Sequence, residues 1–444
     1  MMKKLFLLLL SFFGCMTSGM HAQQPSDNTS SNSDYTRRMQ WFADAKLGIF
    51  IHWGIYAVDG TSESWAFYNE QVPYEVYMGQ AKRFTASRYN PKEWVDLIKE
   101  SGARYTVLTT KHHDGVALWD TKAGKLSTRK STPAKRDLIT PFVNEVRSQG
   151  LKLGLYYSLL DWSHKDYPNF TKNIVRYKDD EKRWNRFVDF NFAQLTQLNS
   201  QYAPDLYWFD GDWEQSAEHW HAADIIKLLR STNPDCVVNS RIQGYGDYAT
   251  PELGVPVKRP NAPYWELCLT MNDSWGWQPS DTNFKTPYML LRTFVDCLSN
   301  GGNLLLDIGP REDGSIPEEE VNILKEFGRW TKKHAEAIYG TRRGIDNRCF
   351  QGYTALNKDG NTLYLYIPYT PHDVVEVKGL LSEVKRVRVV GSGRELDFKL
   401  YNKPSWASWP GNLYIDVPED VLDKQITVIA VDFNEPLRTS LDEQ

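Results

Sequence analysis

Short apolar runs alternate with segments of helical spacing from about Asp34 to Tyr339. The apolar runs have the length and the flanking residues of buried strands. They are Lys46–Trp53, Tyr105–Thr110, Lys152–Tyr157, Leu206–Phe209, Cys236–Arg241, Tyr264–Leu269 and Gly302–Ile308. Asn90-Pro91 and Thr140-Pro141 are typical helix starts, because a capping residue precedes a proline in the first turn. Repeated strand–helix alternation predicts a parallel sheet with right-handed crossover connections.

A closed barrel and an open sheet both produce this alternation, and two features favour the barrel. No glycine-rich phosphate-binding turn follows the first predicted strand. Polar and acidic residues recur where the strands end, which is where a barrel assembles its active site. The sequence therefore predicts an α/β fold, a (β/α) TIM-like barrel of six to eight strands that spans residues 36–342.

The pattern changes after Gly340. Short β-rich runs, among them Thr362–Ile367, Leu413–Val417 and Ile426–Val431, are separated by Gly, Pro and Asp, with no helical spacing between them. Residues 343–444 are therefore predicted to form a separate C-terminal β-sandwich domain.

The N-terminus has the pattern of an export signal. Lys3 and Lys4 precede the apolar run Leu5–Phe13, which is too short to span a bilayer. We predict a signal peptide over residues 1–22, a disordered polar leader over residues 23–35, and a secreted or periplasmic protein. Lipidation at Cys15 is the alternative, and ordinary cleavage after Ala22 is favoured. No other stretch is predicted to span a membrane.

Composition narrows the class of ligand. The formal net charge is −4, so the basic excess of a nucleic-acid-binding protein is absent. The 16 Trp and 24 Tyr residues are numerous, and flat rings with a polar edge suit sugar rings, although an aromatic-rich core would also explain them. Four cysteines of the predicted mature chain, Cys236, Cys268, Cys297 and Cys349, are scattered and are interpreted as buried free thiols.

Titratable and aromatic residues follow six of the predicted strands. The strand ends are His52-Trp53, Lys111-His112-His113-Asp114, Tyr156-Tyr157-Ser158, Trp208-Phe209-Asp210-Gly211, Asn239-Ser240-Arg241 and Trp265-Glu266. One such end carries little information, because a single polar residue is often structural. Six ends of the same character at one rim of a barrel indicate a site.

Asp210 is the candidate ionised carboxylate. The two-residue period of a strand puts Leu206, Trp208 and Asp210 on one face, so Asp210 would emerge at the rim above Trp208. A carboxylate beside aromatic rings is costly unless it is hydrogen-bonded or used in chemistry. The structural alternative is an Asp that caps the following helix or turn.

Other catalytic classes fit less well than a glycosidase. His112 and His113 are adjacent, so they point to opposite faces of a strand, and no third ligand follows at the spacing of a metal site. No metal site is therefore predicted. The G-x-S-x-G element of serine hydrolases is absent. Glycoside hydrolysis requires a second, protonated carboxyl group. Glu252 in a loop and Glu266 at a strand are both candidates, and residue type does not decide between them.

Several motifs, in the same order along the chain, resemble those of the family 29 α-L-fucosidases. They are His52-Trp53-Gly54, Lys111-His112-His113-Asp114-Gly115, Tyr156-Tyr157-Ser158, Trp208-Phe209-Asp210-Gly211, Trp213-Glu214, and Asn300-Gly301-Gly302-Asn303 continued through Gly309-Pro310 to Asp313-Gly314. The resemblance extends from about Trp41 to Thr341. Together these motifs are highly specific, whereas each alone is weak.

The resemblance implies retaining exo-hydrolysis of terminal α-L-fucose from fucosylated glycans, without a cofactor. It assigns the nucleophile to Asp210 and the acid/base to Glu252, which lies in Thr250-Pro251-Glu252, with Glu266 as runner-up. The implied substrate-binding residues are His52, Trp65, His112, His113, Tyr157, Trp208, Arg241 and Glu266. Many members carry Glu directly before the equivalent of Trp65, whereas this chain has Glu63-Ser64-Trp65, a departure that leaves the Glu contact open.

Two alternatives remain at this stage. One is a non-catalytic sugar-binding protein on the same barrel, which would not need both carboxylates. The other is a retaining hydrolase for a related sugar such as a galactoside. Linkage, leaving group and oligomeric state are not encoded in the motifs.

Overall fold

A computed structural model describes residues 29–406 and 410–442 of the chain. The strands, in chain order, are β1 (Leu47–Ile51), β2 (Tyr105–Lys111), β3 (Lys152–Ser158), β4 (Leu206–Asp210), β5 (Val237–Val238), β6 (Glu266–Thr270), β7 (Asn303–Ile308), β8 (Arg342–Arg343), β9 (Tyr353–Leu356), β10 (Thr362–Ile367), β11 (Val374–Lys378), β12 (Val384–Val389), β13 (Phe398–Tyr401), β14 (Asn412–Asp416) and β15 (Thr427–Phe433). The α-helices are α1 (Thr29–Ala45), α2 (Trp65–Tyr68), α3 (Tyr74–Gly79), α4 (Pro91–Glu100), α5 (Thr128–Ser131), α6 (Ile139–Ser148), α7 (Glu181–Tyr202), α8 (Ala217–Trp220), α9 (Ala222–Thr232), α10 (Pro287–Ser299) and α11 (Glu318–Lys333).

Strands β1 to β7 form one curled, parallel sheet in the order β5-β4-β3-β2-β1-β7-β6. Almost every residue of these strands is buried, as expected for a parallel sheet that is covered on both faces. The predicted (β/α) barrel is confirmed, with strands close to the positions that the apolar runs indicated.

An irregular extended segment, residues 247–253, lies between β5 and β6 and completes the ring. It makes parallel bridges at Asn239–Tyr248, Ala249–Trp265 and Glu252–Cys268. Its backbone hydrogen bonds include Asp247 N to Val238 O (2.6 Å), Ser240 N to Tyr248 O (2.8 Å), Glu266 N to Ala249 O (2.9 Å) and Leu253 N to Cys268 O (3.0 Å). We call this stretch the closing segment. It occupies the place of an eighth strand, and Glu252 lies near its carboxyl end.

The crossover helices begin and end where local chemistry predicts. In α4, the Asn90 side chain accepts a hydrogen bond from Lys92 N, and Pro91 occupies the first turn. The buried face of α4 consists of Trp94, Val95, Leu97 and Ile98, whose helical spacing lays them on the barrel. The helix therefore matches its sequence signals at both the cap and the packed face.

The C-terminal part is a two-layer β structure, as predicted. One layer is the antiparallel sheet β12-β15-β10-β9-β8, and the other is β11-β14-β13. A cluster of Val, Leu, Ile and Phe side chains fills the space between the layers. Trp330 of α11 donates to Ile426 O (2.9 Å), and Asp423 accepts from both Arg329 and Lys333 (each 2.8 Å), so helix α11 connects the barrel to this sandwich.

The N-terminal prediction is wrong where the structure describes the leader. Residues 29–35, assigned to a disordered leader, form the first turns of α1. The helix is retained because Met39, Phe42 and Ala45 pack against side chains inside the barrel, including Tyr105. The predicted signal peptide, residues 1–22, lies outside the described residues.

Two further features bear on earlier expectations. Cys236, Cys268, Cys297 and Cys349 are buried and unpaired, as predicted. Over the described ranges, no helix combines the length and the apolar character that crossing a membrane requires.

Candidate active site

A cavity of about 180 Å³ opens at the carboxyl ends of the barrel strands. It is lined by Phe50, His52, Glu63, Trp65, His112, Tyr156, Trp208, Asp210, Trp213, Arg241, Glu252 and Trp275. Seven of the ten site residues predicted from the sequence are in this lining. The barrel brings them together because parallel strands end at the same rim.

Asp210 is the last residue of β4 and points into the cavity from its wall. Its two carboxylate oxygens accept from different donors, Tyr156 Oη at 3.0 Å and Arg241 Nη1 at 3.0 Å. His113 Nε2 is 3.6 Å from the oxygen that Tyr156 contacts. The guanidinium and the hydroxyl fix the orientation of the carboxylate.

Arg241 contacts the second carboxyl group as well. Its Nη2 donates to Glu252 Oε2 at 2.6 Å, and its Nε donates to Thr250 Oγ1 at 3.1 Å. The guanidinium also lies over the Trp208 ring, 4.5 Å from the ring centroid. A single guanidinium therefore holds Asp210 and Glu252 at the same rim. The Glu252 side chain is 37% exposed and that of Asp210 is 12% exposed, so Glu252 is nearer the mouth.

Glu266, the runner-up for the acid, lies elsewhere. It is the first residue of β6, at the opposite end of the strands from Asp210, and is fully buried. Its carboxyl group accepts from Trp208 Nε1 (3.0 Å), from Tyr248 Oη (3.3 Å) and from the Tyr105 hydroxyl. Burial raises the pKa of Glu266 to about 7, despite these hydrogen bonds. We correct the expected sugar contact: Glu266 supports Trp208 from inside the barrel and does not reach the cavity.

Tyr157 is a second correction. Its hydroxyl lies 2.9 Å from both Asn191 Oδ1 and Gln194 Oε1 of α7, on the outer face of the sheet, and can donate to one of them. Tyr156, on the opposite face of β3, contacts Asp210 and lines the cavity. Because neighbouring residues of a strand face opposite ways, only one of these two tyrosines can reach the site.

Three buried histidines beside the cavity are held through Nδ1. His52 Nδ1 is 2.7 Å from Asp307 Oδ1, His112 Nδ1 is 2.6 Å from Ser64 Oγ, and His113 Nδ1 is 2.6 Å from Ser158 Oγ. Nε2 is therefore the nitrogen left to face a ligand. Burial lowers the pKa of all three imidazoles, that of His113 to about 3, and the Arg241 guanidinium adds to the effect at His52 and His113. Neutral imidazoles can exchange hydrogen bonds with hydroxyl groups.

Glu63 lies in the cavity despite the departure from the family pattern. Its backbone is in the left-handed region (φ 31°), which orients its carboxyl group so that Oε1 accepts from Gly276 N at 2.7 Å. Burial raises the pKa of Glu63 to about 7. Glu63 thus lines the cavity although Ser64 separates it from Trp65.

Sequence reasoning missed Phe50, Tyr156, Trp213 and Trp275 as lining residues and left Glu63 open. Tyr156 and Trp213 lie inside motifs that were already recognised, but those motifs do not show which of their aromatic residues face the cavity. Trp275 lies in the long connection after β6 and contacts His52, with the ring centroids 5.0 Å apart. No local pattern indicates that this loop returns to the cavity.

The arrangement suits the hydrolysis of a sugar acetal. It provides one carboxylate fixed by two donors, a second carboxyl group nearer the mouth, neutral imidazoles, and aromatic faces around a space for a single ring. The described residues show no cluster of His, Cys, Asp and Glu that could hold a metal ion.

Comparisons with known proteins agree with this chemistry. The family model described as alpha-L-fucosidase matches residues 15–336. Human tissue α-L-fucosidase is 31% identical over 368 residues, 76% of this chain and 77% of that protein. Among solved structures, α-L-fucosidase isoenzyme 1 from Paenibacillus thiaminolyticus superposes with a TM-score of 0.81 at 32% identity, covering 90% of this chain and 100% of that one. A Bacteroides thetaiotaomicron family 29 α-L-fucosidase, solved as a trapped covalent intermediate with 2-fluoro-fucosyl fluoride, has a TM-score of 0.79 at 26% identity and covers 91% of this chain and 96% of that one.

Proposed function

The chain belongs to the α-L-fucosidase family and is accordingly a glycoside hydrolase that releases fucose; from this premise we propose that it removes terminal α-L-fucose with retention of anomeric configuration. The observation that carries the proposal is the double contact of Arg241 with Asp210 and Glu252 at one rim of the cavity. Retaining hydrolysis uses two carboxyl groups about 5–5.5 Å apart, and a shared guanidinium keeps the pair close.

In the first step, an Asp210 oxygen forms a bond to the anomeric carbon while the glycosidic C–O bond breaks. Glu252 transfers its proton to the departing oxygen, which prevents the build-up of charge on a poor leaving group. Tyr156 and Arg241 orient Asp210 for this attack. The covalent intermediate named for the Bacteroides relative supports the same route here.

In the second step, Glu252 removes a proton from water and the water oxygen forms a bond to the anomeric carbon. The ester bond to Asp210 breaks, and the enzyme returns to its starting state. Glu252 must turn from Arg241 toward the leaving oxygen before the first step, because Arg241 Nη2 donates to its Oε2 in the structure. A sugar that enters the cavity between these two side chains would separate them.

Three histidines and three tryptophans at the cavity are proposed to bind the fucose ring. His52, His112 and His113 would contact its hydroxyl groups, and Trp65, Trp208 and Trp275 would pack on its apolar face and methyl group. A cavity of about 180 Å³ is below the size of most small-molecule pockets, which supports exo-action on one terminal sugar. Membership of the family sets aside the alternatives of a non-catalytic sugar-binding protein and of a galactosidase.

We also propose that the protein is exported, with residues 1–22 removed. The support is the sequence pattern of Lys3, Lys4 and the apolar run Leu5–Phe13. The substrate would then be an extracellular or periplasmic fucosylated glycan.

Replacement of the nucleophile tests the mechanism. Asp210→Ala should lower kcat on an aryl α-L-fucoside by at least about 10⁴-fold, because no other group can form the covalent intermediate. Azide should restore turnover and yield a fucosyl azide of inverted configuration. NMR of the first product of the wild-type enzyme should show the α-anomer of fucose.

The matched control is Asp205→Asn, at the residue immediately before the first residue of the same strand. Asp205 pairs with Lys152 and Arg147 away from the cavity, so its loss should affect stability more than turnover. Near-normal kcat in the Asp210→Ala variant, or a β-anomer as the first wild-type product, would rule out the proposed mechanism.

A further inference from the structure

Trp213 is an exposed aromatic residue at the mouth of the cavity. Its side chain is 46% exposed although it lines the cavity with largely buried neighbours such as Trp208. Burial of a large aromatic side chain normally stabilises a fold, so an indole left half-exposed beside a binding site forgoes that stabilisation. Such a residue is expected to have a ligand as its partner.

The backbone that carries Trp213 is fixed from both sides. Trp213 is the middle residue of a short 3₁₀ turn, Asp212–Glu214, that follows β4. Asp212 accepts from Gln243 N (2.6 Å) and Trp220 Nε1 (2.8 Å), and Glu214 accepts from Tyr167 Oη (2.6 Å), Asn169 Nδ2 (2.6 Å) and Trp162 Nε1 (3.2 Å). The exposed indole is therefore presented by a rigid turn, and little conformational entropy remains to be lost on binding.

The ring itself is oriented by a second aromatic residue. The Trp213 and Trp65 planes are nearly parallel, at 15°, with their centroids 6.1 Å apart. His113 meets the Trp213 ring edge-on at 6.0 Å. These contacts fix the indole plane at the mouth while leaving half of its surface open to solvent.

The position of the proposed acid, Glu252, indicates which part of the substrate would contact the exposed face of Trp213. The proposed acid, Glu252, is the more exposed of the two carboxyl groups, and the leaving oxygen must lie beside it. The histidines and Tyr156 are buried at the floor, where the terminal sugar would bind. Because the cavity holds about 180 Å³, the group attached to fucose must lie outside it, at the mouth where Trp213 is exposed.

We propose that Trp213 is the binding platform for the sugar to which fucose is attached, and that this site selects a pyranose ring as the leaving group. One face of a pyranose carries several C–H groups and packs on an indole, whereas a small alcohol or an extended side chain makes little contact with it. The inference rests on the proposed function, because it takes the position of the leaving group from the role of Glu252.

Two substrates that share acid catalysis but differ in leaving-group size test the platform. Trp213→Ala should lower kcat/KM for a fucosylated disaccharide by about tenfold or more, since loss of a Trp anchor commonly has an effect of that size. For methyl α-L-fucoside, whose methoxy group is too small to reach Trp213, kcat/KM should stay within about twofold. The inhibition constant of free fucose should also be unchanged. Trp213→Phe should recover most of the activity on the disaccharide.

Trp406→Ala is the matched control, because Trp406 is 87% exposed in the C-terminal sandwich, outside the residues that line the cavity. It should leave both substrates unaffected. Equal losses on disaccharide and methyl fucoside in Trp213→Ala would show that Trp213 shapes the fucose pocket, and no loss on either would show that it binds nothing; each result overturns the inference. Wild-type enzyme that turns over neither substrate would instead overturn the proposed function.

Discussion

Arg241 determines how the two carboxyl groups at the rim behave in the absence of substrate. Its planar guanidinium donates to one oxygen of Asp210 through Nη1 and to one oxygen of Glu252 through Nη2. A fixed orientation suits a nucleophile, whereas a general acid must turn toward the leaving oxygen. The difference in exposure permits this, because the more exposed Glu252 can move away from Arg241 when a sugar enters.

The role of Glu252 is tested by leaving-group dependence. A general acid matters most when the leaving group is poor, and such catalysis typically contributes about 10²–10⁴-fold. Glu252→Ala should therefore lower kcat/KM for a fucosylated disaccharide by about 10²-fold or more. Hydrolysis of an aryl fucoside with an activated phenol should be much less affected. Steady-state kinetics on the two substrates provides the comparison.

Glu266→Gln is the control for that experiment. Burial raises the pKa of Glu266 to about 7, so glutamine resembles the protonated carboxyl group and keeps the volume beneath Trp208. Any loss of activity in Glu266→Gln should be equal on the two substrates. If the loss of activity depended on the leaving group in Glu266→Gln and not in Glu252→Ala, Glu266 would be the general acid and Glu252 would not.

At the level of elements, the closing segment places the proposed acid. The sequence predicted that Glu252 lies in a loop, in Thr250-Pro251-Glu252. In the structure, Leu253 N donates to Cys268 O (3.0 Å) and Cys268 N donates to Pro251 O (3.2 Å), so the backbone on either side of Glu252 is tied to β6. Glu252 thus projects from a barrel position, as Asp210 does, and the carboxyl pair is held by the sheet.

A substitution at Gly246 should displace the closing segment without changing the other strands of the barrel. A Cβ at Gly246 would overlap the Asn239 carbonyl group, so Gly246→Ala must push the start of the closing segment away from β5. We expect a loss of about 1–3 kcal/mol in the free energy of unfolding. Displacement of Glu252 by about 1 Å should lower kcat on a disaccharide by about 10²-fold.

Gly254→Ala is the matched substitution at the other end of the segment. A Cβ at Gly254 meets no atom within 4 Å, so this variant should resemble wild type in thermal unfolding and in kcat. If Gly246→Ala also leaves kcat unchanged, the position of Glu252 does not depend on the pairing between the closing segment and β5.

In the whole molecule, helix α1 closes one end of the barrel, and an apolar cluster that the two domains share attaches the barrel to the sandwich. Helix α1 covers the inside of the barrel with Met39 and Phe42, and Tyr366 and Val428 of the sandwich belong to the same apolar cluster as the barrel helices. Removal of the sandwich would expose these side chains. We therefore expect the sandwich to stabilise the barrel.

The first residue of the mature protein tests the prediction of a cleaved signal peptide. Protein isolated from its host should begin near Gln23 and carry no acyl chain, because Phe12-Phe13 before Gly14-Cys15 is a poor context for lipidation. N-terminal sequencing and intact mass measure this directly. A lipidated Cys15 as the first residue would instead place the enzyme on a membrane surface.

The sequence by itself determined the features that depend on local periodicity. Apolar runs of strand length and capped helical segments specified the barrel and the sandwich, because these signals arise within a few residues. The two-residue period of β4 correctly put Asp210 and Trp208 on one face, and both line the cavity. Colinear motifs were sufficient to identify the family.

Only the tertiary structure decided which neighbours of those motifs reach the site. Register pairs Tyr156 with Trp208 and Tyr157 with Phe209, and this pairing, which no local pattern contains, sends Tyr156 inward. Glu63 and Gly276 meet across 213 positions of sequence, and Glu266 is buried beneath Trp208 although the family resemblance included it among the substrate-binding residues. Contacts between residues far apart in sequence depend on how the strands close into a ring, because the energy that selects them comes from burial and hydrogen bonding in the assembled barrel.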